Sequence, residues 1–281
     1  MYISVIPFSH TISLEPFTYF VHSDWQEQIQ VGCLVEIPFG NNIEQGIVSE
    51  ILEEVPVSTD IGSLRPVISV IASIPLLEEY QISMILAIAR QYFIPLHKVL
   101  RIFLPVPLLS RLDKKNYIIE TNTAIPEPSE IRRKYQIHHY TSHAFSTSDI
   151  EKYFQSGSAF LFPDDFFLFS LVGDMLPISS RVLTDSTPVH KAKQWMNIYG
   201  GKEKIIVGTR RLLYYNLAQY QQIYYIEDAF GDEDYQYPHR IRNLDILRIL
   251  ADQGQFHITI ITSTPTLELF AKFRDFQIFP Q

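Results

Sequence analysis

From Val31 to Phe39 the sequence VGCLVEIPF alternates in character and stops at Gly40-Asn41-Asn42. A period of two predicts a half-buried strand, and Gly-Asn predicts a turn. Gly46-Ile47-Val48 starts a returning strand, so residues 2–54 read as β-rich with a hairpin. The period then changes. Ile82, Ile85, Leu86, Ala89 and Phe93 fall at helical spacing within Leu77–Phe93. Pro95 ends that helix, and Leu96–Leu104 restarts as a short one before Pro105-Val106-Pro107.

Residues 107–135 interrupt the pattern. Pro107, Pro126 and Pro128 sit among much of the local charge, the composition of a linker. Arg132-Arg133-Lys134 reads as its solvated end, with a small phosphate contact as the other reading. After Gln136 apolar runs at Ala159–Phe162, Arg181–Thr184, Lys204–Val207, Ile223–Ile226 and His257–Thr262 alternate with helical stretches. Those stretches are Asp165–Met175, Val189–Ile198, Ile241–Asp252 and Thr266–Phe273. Near-continuous apolar strands separated by helices predict a parallel sheet covered on both faces.

Charge changes the picture. The chain of 281 residues carries net charge −8, unevenly spread. Residues 1–106 hold four basic side chains (Arg65, Arg90, Lys98, Arg101) against eleven acidic ones. A protein that coats duplex DNA shows a basic face, and none is visible in this balance. No run approaches the ~20 apolar residues that span a membrane. Met1-Tyr2-Ile3-Ser4-Val5 lacks a basic leader region, so a cytoplasmic location is expected. The single cysteine, Cys33, lies in a strand pattern and reads as a small core residue. His138, His139 and His143 cluster, and on a helix His139 and His143 would be neighbours. No carboxylate or cysteine completes a metal set there, so no metal is expected.

The residues carry a family resemblance at both ends. Val35-Glu36-Ile37-Pro38-Phe39-Gly40, then Gly46-Ile47-Val48, resembles the "V-x-V-P-F-G…G-I-V" hairpin of the primosomal protein N′ (PriA) family of superfamily II replication-restart helicases. Leu64-Arg65-Pro66-Val67 resembles the family's "L-K-P-V". Gln91-Tyr92-Phe93-Ile94-Pro95-Leu96 through Arg101 resembles "Y-Y-x-x-P-L-x-E-V-L-R". Further on, Trp195 and Ile205-Ile206-Val207-Gly208-Thr209-Arg210 resemble "W…I-V-V-G-T-R-S-A". Pro238, Arg242 and Leu244–Arg248 resemble the "P-R-Y-H-A-R-D" helix, and Thr262–Glu268 resembles "S-A-T-P-S-L-E". The resemblance implies an α/β protein: a β-rich PriA-type 3′ DNA-end-binding domain (1–106), the linker (107–135), then one RecA-like parallel lobe (136–281) of the P-loop NTPase type.

The departures from that pattern shape the expected function. The family grips ATP with G-x-x-x-x-G-K-[ST], whose glycines open a phosphate nest and whose lysine reaches the terminal phosphates. The matching stretch, Tyr140–Ile150, has neither glycine nor lysine; Thr147 and Ser148 are the positions left to face Mg²⁺. The family's D-E-E-H falls on Glu227-Asp228-Ala229-Phe230, with the acids reversed and Phe230 in place of histidine. Glu227 and Asp228 then read as a strand-end acid pair. A second RecA-like lobe, the cysteine-rich zinc insertion and the winged-helix domain find no counterpart in the 281 residues. The expectation is a degenerate helicase-like lobe, a pseudo-ATPase without catalytic residues or cofactor.

What the resemblance leaves is the first domain, which in this family captures a DNA 3′ end. Phe17 and Tyr19 match its aromatics, Gly40 its glycine and Arg65 its basic position. Thr18 replaces the family's acid, which would accept the 3′-OH proton and repel a 3′-phosphate. Ordinary packing of Phe17 and Tyr19 is an equal reading. The expected partners are a DNA 3′ end or fork in replication restart, and single-strand-binding protein or another replisome protein. The alternative is a replisome scaffold that has lost DNA binding, and no membrane partner is expected.

Overall fold

The computed structural model describes residues 1–9, 11–55, 61–105, 108–109, 135–139, 150–163, 165–172, 180–182, 187–227, 241–253, 256–262, 265–273 and 277–280. The chain divides into two compact units, Met1–Ile119 and Glu120–Gln281.

The first unit is built on an antiparallel sheet of β1 (Tyr2–Pro7), β2 (Phe17–Phe20), β3 (Leu34–Phe39), β4 (Asn42–Leu52) and β5 (Ser69–Ala72). Their order is β2-β1-β4-β3-β5. The hairpin expected at Gly40 is present, with Phe39 opposite Asn42 and only Gly40-Asn41 between them. Gly40 has φ +60° and Asn41 does not share that sign, the pattern of a type II′ turn that suits strand twist. Alternation fills one face with Ile3, Val5, Val35, Ile37 and Val48, all without solvent exposure. Burying each such side chain contributes about 1.5–3 kcal/mol. Gly46 allows β1 to approach, since a Cβ there would lie 2.5 Å from Val5 Cγ1. Cys33 is buried as expected, and its thiol donates to Ser73 O at 2.8 Å.

Two helices follow. α1 (Glu79–Tyr92) begins two residues later than the apolar period starts, because Glu78 and Gln81 form a reciprocal capping box that fixes the first turn. Ile82, Ile85 and Ala89 bury the face read from the sequence. Phe93, expected on that same face, behaves differently. It caps α1 in the left-handed region at φ 53° and is 81% exposed. Such backbone costs a side-chain-bearing residue about 1–2 kcal/mol. α2 (Leu96–Phe103) starts after Pro95 and buries Leu96, Val99, Leu100 and Phe103. Most of the expected linker lies outside the described residues, although Leu108 and Leu109 are helical and buried.

Among the described residues the second unit holds seven strands: β6 (Tyr135–His139), β7 (Ser158–Leu161), β8 (Arg181–Val182), β9 (Ile205–Gly208), β10 (Gln222–Glu227), β11 (His257–Thr262) and β12 (Gln277–Pro280). The order is β12-β6-β11-β10-β7-β9-β8, and every pairing between them is parallel. The expected parallel sheet is therefore present and gains β6 and β12 at one side. His138 and His139 lie in β6, so the helical spacing considered for His139 and His143 does not apply; His143 is outside the described residues. Tyr135, read as the end of the linker, is the first residue of that strand.

Helices among the described residues of this unit include α3 (Asp165–Val172), α4 (Pro188–Tyr199), α5 (Asn243–Asp252) and α6 (Leu267–Lys272). Thr187 caps α4 through His190 N–H, with Pro188 in the first turn. Thr266 caps α6 in the same way through Leu269 N–H. Phe160, Phe162, Leu168, Val172, Val207 and Ile261 form one core cluster of this unit.

Candidate nucleic-acid interface

Four of the five residues singled out in the first unit converge at the β3–β4 turn. Phe17 opens β2 and its ring meets Phe39, the last residue of β3, edge to face at 5.1 Å between centroids. Such a pair contributes about 0.5–1.5 kcal/mol beyond burial and fixes both rings. Both remain half-buried. Gly40 follows Phe39 and is exposed, and a Cβ on it would meet nothing within 4 Å. The space beside the turn is open, and glycine is needed there for its positive φ.

Arg65 reaches the same turn from 25 residues away. Its Nη1 donates to Gly40 O at 2.7 Å, and the guanidinium is otherwise on the exposed side. The backbone around it is pinned to the edge of β2. Phe20 N–H donates to Arg65 O at 3.1 Å, and Val67 N–H donates to Phe20 O at 2.9 Å. This cover also satisfies an edge strand that would otherwise present unpaired groups.

Tyr19 forms the wall behind the site rather than its surface. It is 5% exposed, and its hydroxyl donates to Pro38 O at 3.3 Å. Burial pushes that hydroxyl up to about 12, and the Arg65 charge draws it part of the way back. Tyr19 belongs to the core cluster, and Phe17 packs against that cluster with partial exposure. Thr18 stands opposite Ser4 of β1, and strand alternation turns its side chain to the face away from Phe17 and Tyr19. Phe39 is the residue that sequence reasoning passed over. Its position directly before Gly40 in the hairpin motif was the available signal.

The second unit has its own row of interest. Register places the end of β6, His139, level with Thr262 of β11, and Thr262 level with Glu227 of β10. Strand order reverses here, since β7 lies across β11 and β10 from β6 while β12 flanks it on the other side. In parallel sheets ligands bind beyond the carboxyl ends of strands at such a reversal. Of the positions singled out, Glu227 ends β10, whereas Thr147, Ser148 and Asp228 lie outside the described residues. Arg242 and Glu268, both from motif stretches, form an ion pair at 2.5 Å. Lys272 pairs with Glu268 at 2.9 Å and also with Asp245, joining α5 to α6. At the opposite, amino edge of the sheet lies a polar cleft of about 380 Å³ lined by Gln155, Gly157, Lys204, Gln219 and Gln222.

Among the described residues, no group of three or more His, Cys, Asp or Glu side chains is placed to hold a metal ion. No helix among them is long and apolar enough to cross a membrane.

A partly exposed aromatic pair, an exposed turn and a guanidinium thus come together on one antiparallel sheet. Residues 5–105 match the family model of the PriA 3′DNA-binding domain (3′BD). The match covers most of the first unit and supports a PriA-related family with DNA as a partner. No curated protein matches the chain.

Proposed function

We propose that this chain is a PriA-like DNA-binding protein of replication restart, which binds DNA 3′ ends or forks without helicase activity. The observation that carries the reading is the convergence of Phe17, Phe39, Gly40 and Arg65 at one open turn. A terminal base stacks on the Phe17–Phe39 pair, worth about 1–3 kcal/mol. The open space over Gly40 admits the sugar, and Arg65 supplies the local positive charge for the last phosphate. An acidic unit can hold a single strand end this way, because one nucleotide needs no long basic groove.

With Thr18 facing away and carrying no charge, selection for a 3′-OH over a 3′-phosphate rests on space and on the turn backbone. Discrimination is therefore weaker than a carboxylate would give. For residues 136–281 the reading is a degenerate RecA-like lobe, supported by the parallel strand order and the level row His139–Thr262–Glu227. The sequence Tyr140–Ile150, which matches the family's phosphate-binding motif, has no glycine and no lysine. A triphosphate there lacks both a nest and a cation.

Fluorescence anisotropy tests the reading, using forked DNA ending in 3′-OH or in 3′-phosphate at moderate salt. Tighter binding of the 3′-OH fork is expected. Equal and weak binding would favour the second reading, a replisome scaffold that binds protein such as single-strand-binding protein; the excess of acids in residues 1–106 speaks for it.

A further inference from the structure

Phe93 carries a cost that the fold does not use. A residue at a left-handed helix cap is ordinarily glycine or asparagine. Here it is phenylalanine, at φ 53°, with its ring 81% exposed. Neither backbone preference nor burial accounts for a ring held there. Strained positions of this kind cluster at binding sites.

Charge points to what the ring meets. Residues 80–106 contain Arg90, Lys98 and Arg101 and no acidic residue, while residues 1–79 contain all eleven acids of this part of the chain and one cation, Arg65. Lys98 and Arg101 are three apart on α2 and both exposed, so they share one face of it. Arg101 Nη2 donates to Phe8 O at 2.8 Å, and the residue remains exposed. Arg90 holds the Glu15 carboxylate at 3.0 Å, the acid that faces this corner from the preceding loop.

The corner also lies close to the strand-end site. Leu96 N–H donates to Ser13 O at 3.1 Å, and Ser13 is four residues from Phe17. Four residues of extended chain reach at most about 14 Å. Ser13, which touches the corner, is thus within about four nucleotide steps of Phe17 along one strand.

We propose that the α1–α2 corner is a second nucleic-acid contact: Phe93 stacks a base of single-stranded DNA beside the bound 3′ end, and Lys98 and Arg101 meet its phosphates. An aromatic platform flanked by cations binds single strands without regard to sequence. The inference rests on the DNA-end reading for its geometry, and its test separates the two.

The test uses the full chain and a duplex with one 3′-OH end whose opposite strand extends as a single strand. 2-Aminopurine stands in turn at each of the first four unpaired positions of that strand. Wild type changes the 2-aminopurine emission and binds about tenfold more tightly than Phe93→Ala. Phe93→Trp retains both properties. Phe93→Gly relieves the backbone strain, so its Tm holds or rises while the affinity falls as in Phe93→Ala, which separates binding from folding. Lys98→Ala lowers the slope of log affinity against log salt by about 0.7. If Phe93→Ala binds this DNA as wild type does while Phe17→Ala loses the 3′-OH preference, the corner proposal fails and the end site stands. If Phe93→Ala weakens binding although wild type shows no 3′-OH preference, the end site fails and the corner stands. If an acidic apolar peptide, and not DNA, depends on Phe93, the corner proposal fails as well.

Discussion

Arg65 Nη1 lies 2.7 Å from Gly40 O, joining the segment before β5 to the tip of the β3–β4 hairpin. Arg65→Ala is expected to weaken binding of 3′-OH DNA by about tenfold, the size of one charge-assisted contact. Arg65→Lys is expected to recover part of the loss, because an ammonium keeps the charge without the planar fork. Anisotropy titrations of the three proteins decide it; equal affinities would remove Arg65 from the site. The bond is exposed, so Tm should shift little.

Two glycines in the same hairpin should fail for different reasons. Gly40→Ala meets open space but keeps a φ of +60°, and should cost about 1 kcal/mol. Gly46→Ala places a methyl group 2.5 Å from Val5 Cγ1 and 3.0 Å from Ile6 O. It should cost about 1–3 kcal/mol through displacement of β1. Urea unfolding of both variants gives the order, and a more stable Gly46→Ala would contradict this packing.

Alkaline pH should unfold the first unit through Tyr19. Its hydroxyl is raised from 10.0 to about 12 by burial. Between those values the unfolded chain has lost a proton that the folded chain retains, so stability falls as pH rises. The contribution, fully present below pH 10, is on the order of 2–3 kcal/mol. Urea unfolding across this window should show a steeper loss for wild type than for Tyr19→Phe. Parallel curves would mean that Tyr19 is not buried as described.

Acid should act on the second unit through Glu268. Its bond from Lys272 leads in holding the carboxyl below its ordinary value of 4.5, burial opposes it, and Arg242 adds to the lowering. The stabilisation is present above that ordinary value and is lost as pH falls through the lowered one. The Tm difference between wild type and Glu268→Gln should therefore shrink on acidification. A difference that is constant with pH would rule out the Arg242–Glu268–Lys272 network as its source.

Mg-ATP should leave Tm unchanged. Any ligand that binds only the folded chain at a hundred times its dissociation constant stabilises by about 2.7 kcal/mol. A rise of several degrees in a thermal-shift measurement would restore a working nucleotide site beyond β6.

Much of this fold could be read from periodicity. The Gly40 turn, the helix through Ile82, Ile85 and Ala89, and five of the seven parallel strands follow from local pattern. The strands β6, YQIHH, and β12, QIFP, did not, because neither is a continuous apolar run. Their pairing with β11 and with each other defines them, and pairing over such separations leaves no local trace. Alternation in Phe17-Thr18-Tyr19 already implied that Thr18 faces away, since a period of two permits nothing else. The Arg65–Gly40 bond was invisible, because 25 residues separate its partners and neither has a pattern that announces the other. Phe93 continued the apolar period of α1, and only the left-handed cap shows that it leaves the core.

The attachment of Arg65 and Val67 to both polar groups of Phe20 has a kinetic implication. The guanidinium is carried by backbone that is already ordered before any strand arrives, so capture requires no loop to freeze and release requires none to melt. Rigid partners of this sort meet and part at rates governed by diffusion and by contact strength. An isolated 3′ end should therefore be sampled and surrendered quickly, and long residence would have to come from additional contacts along the strand.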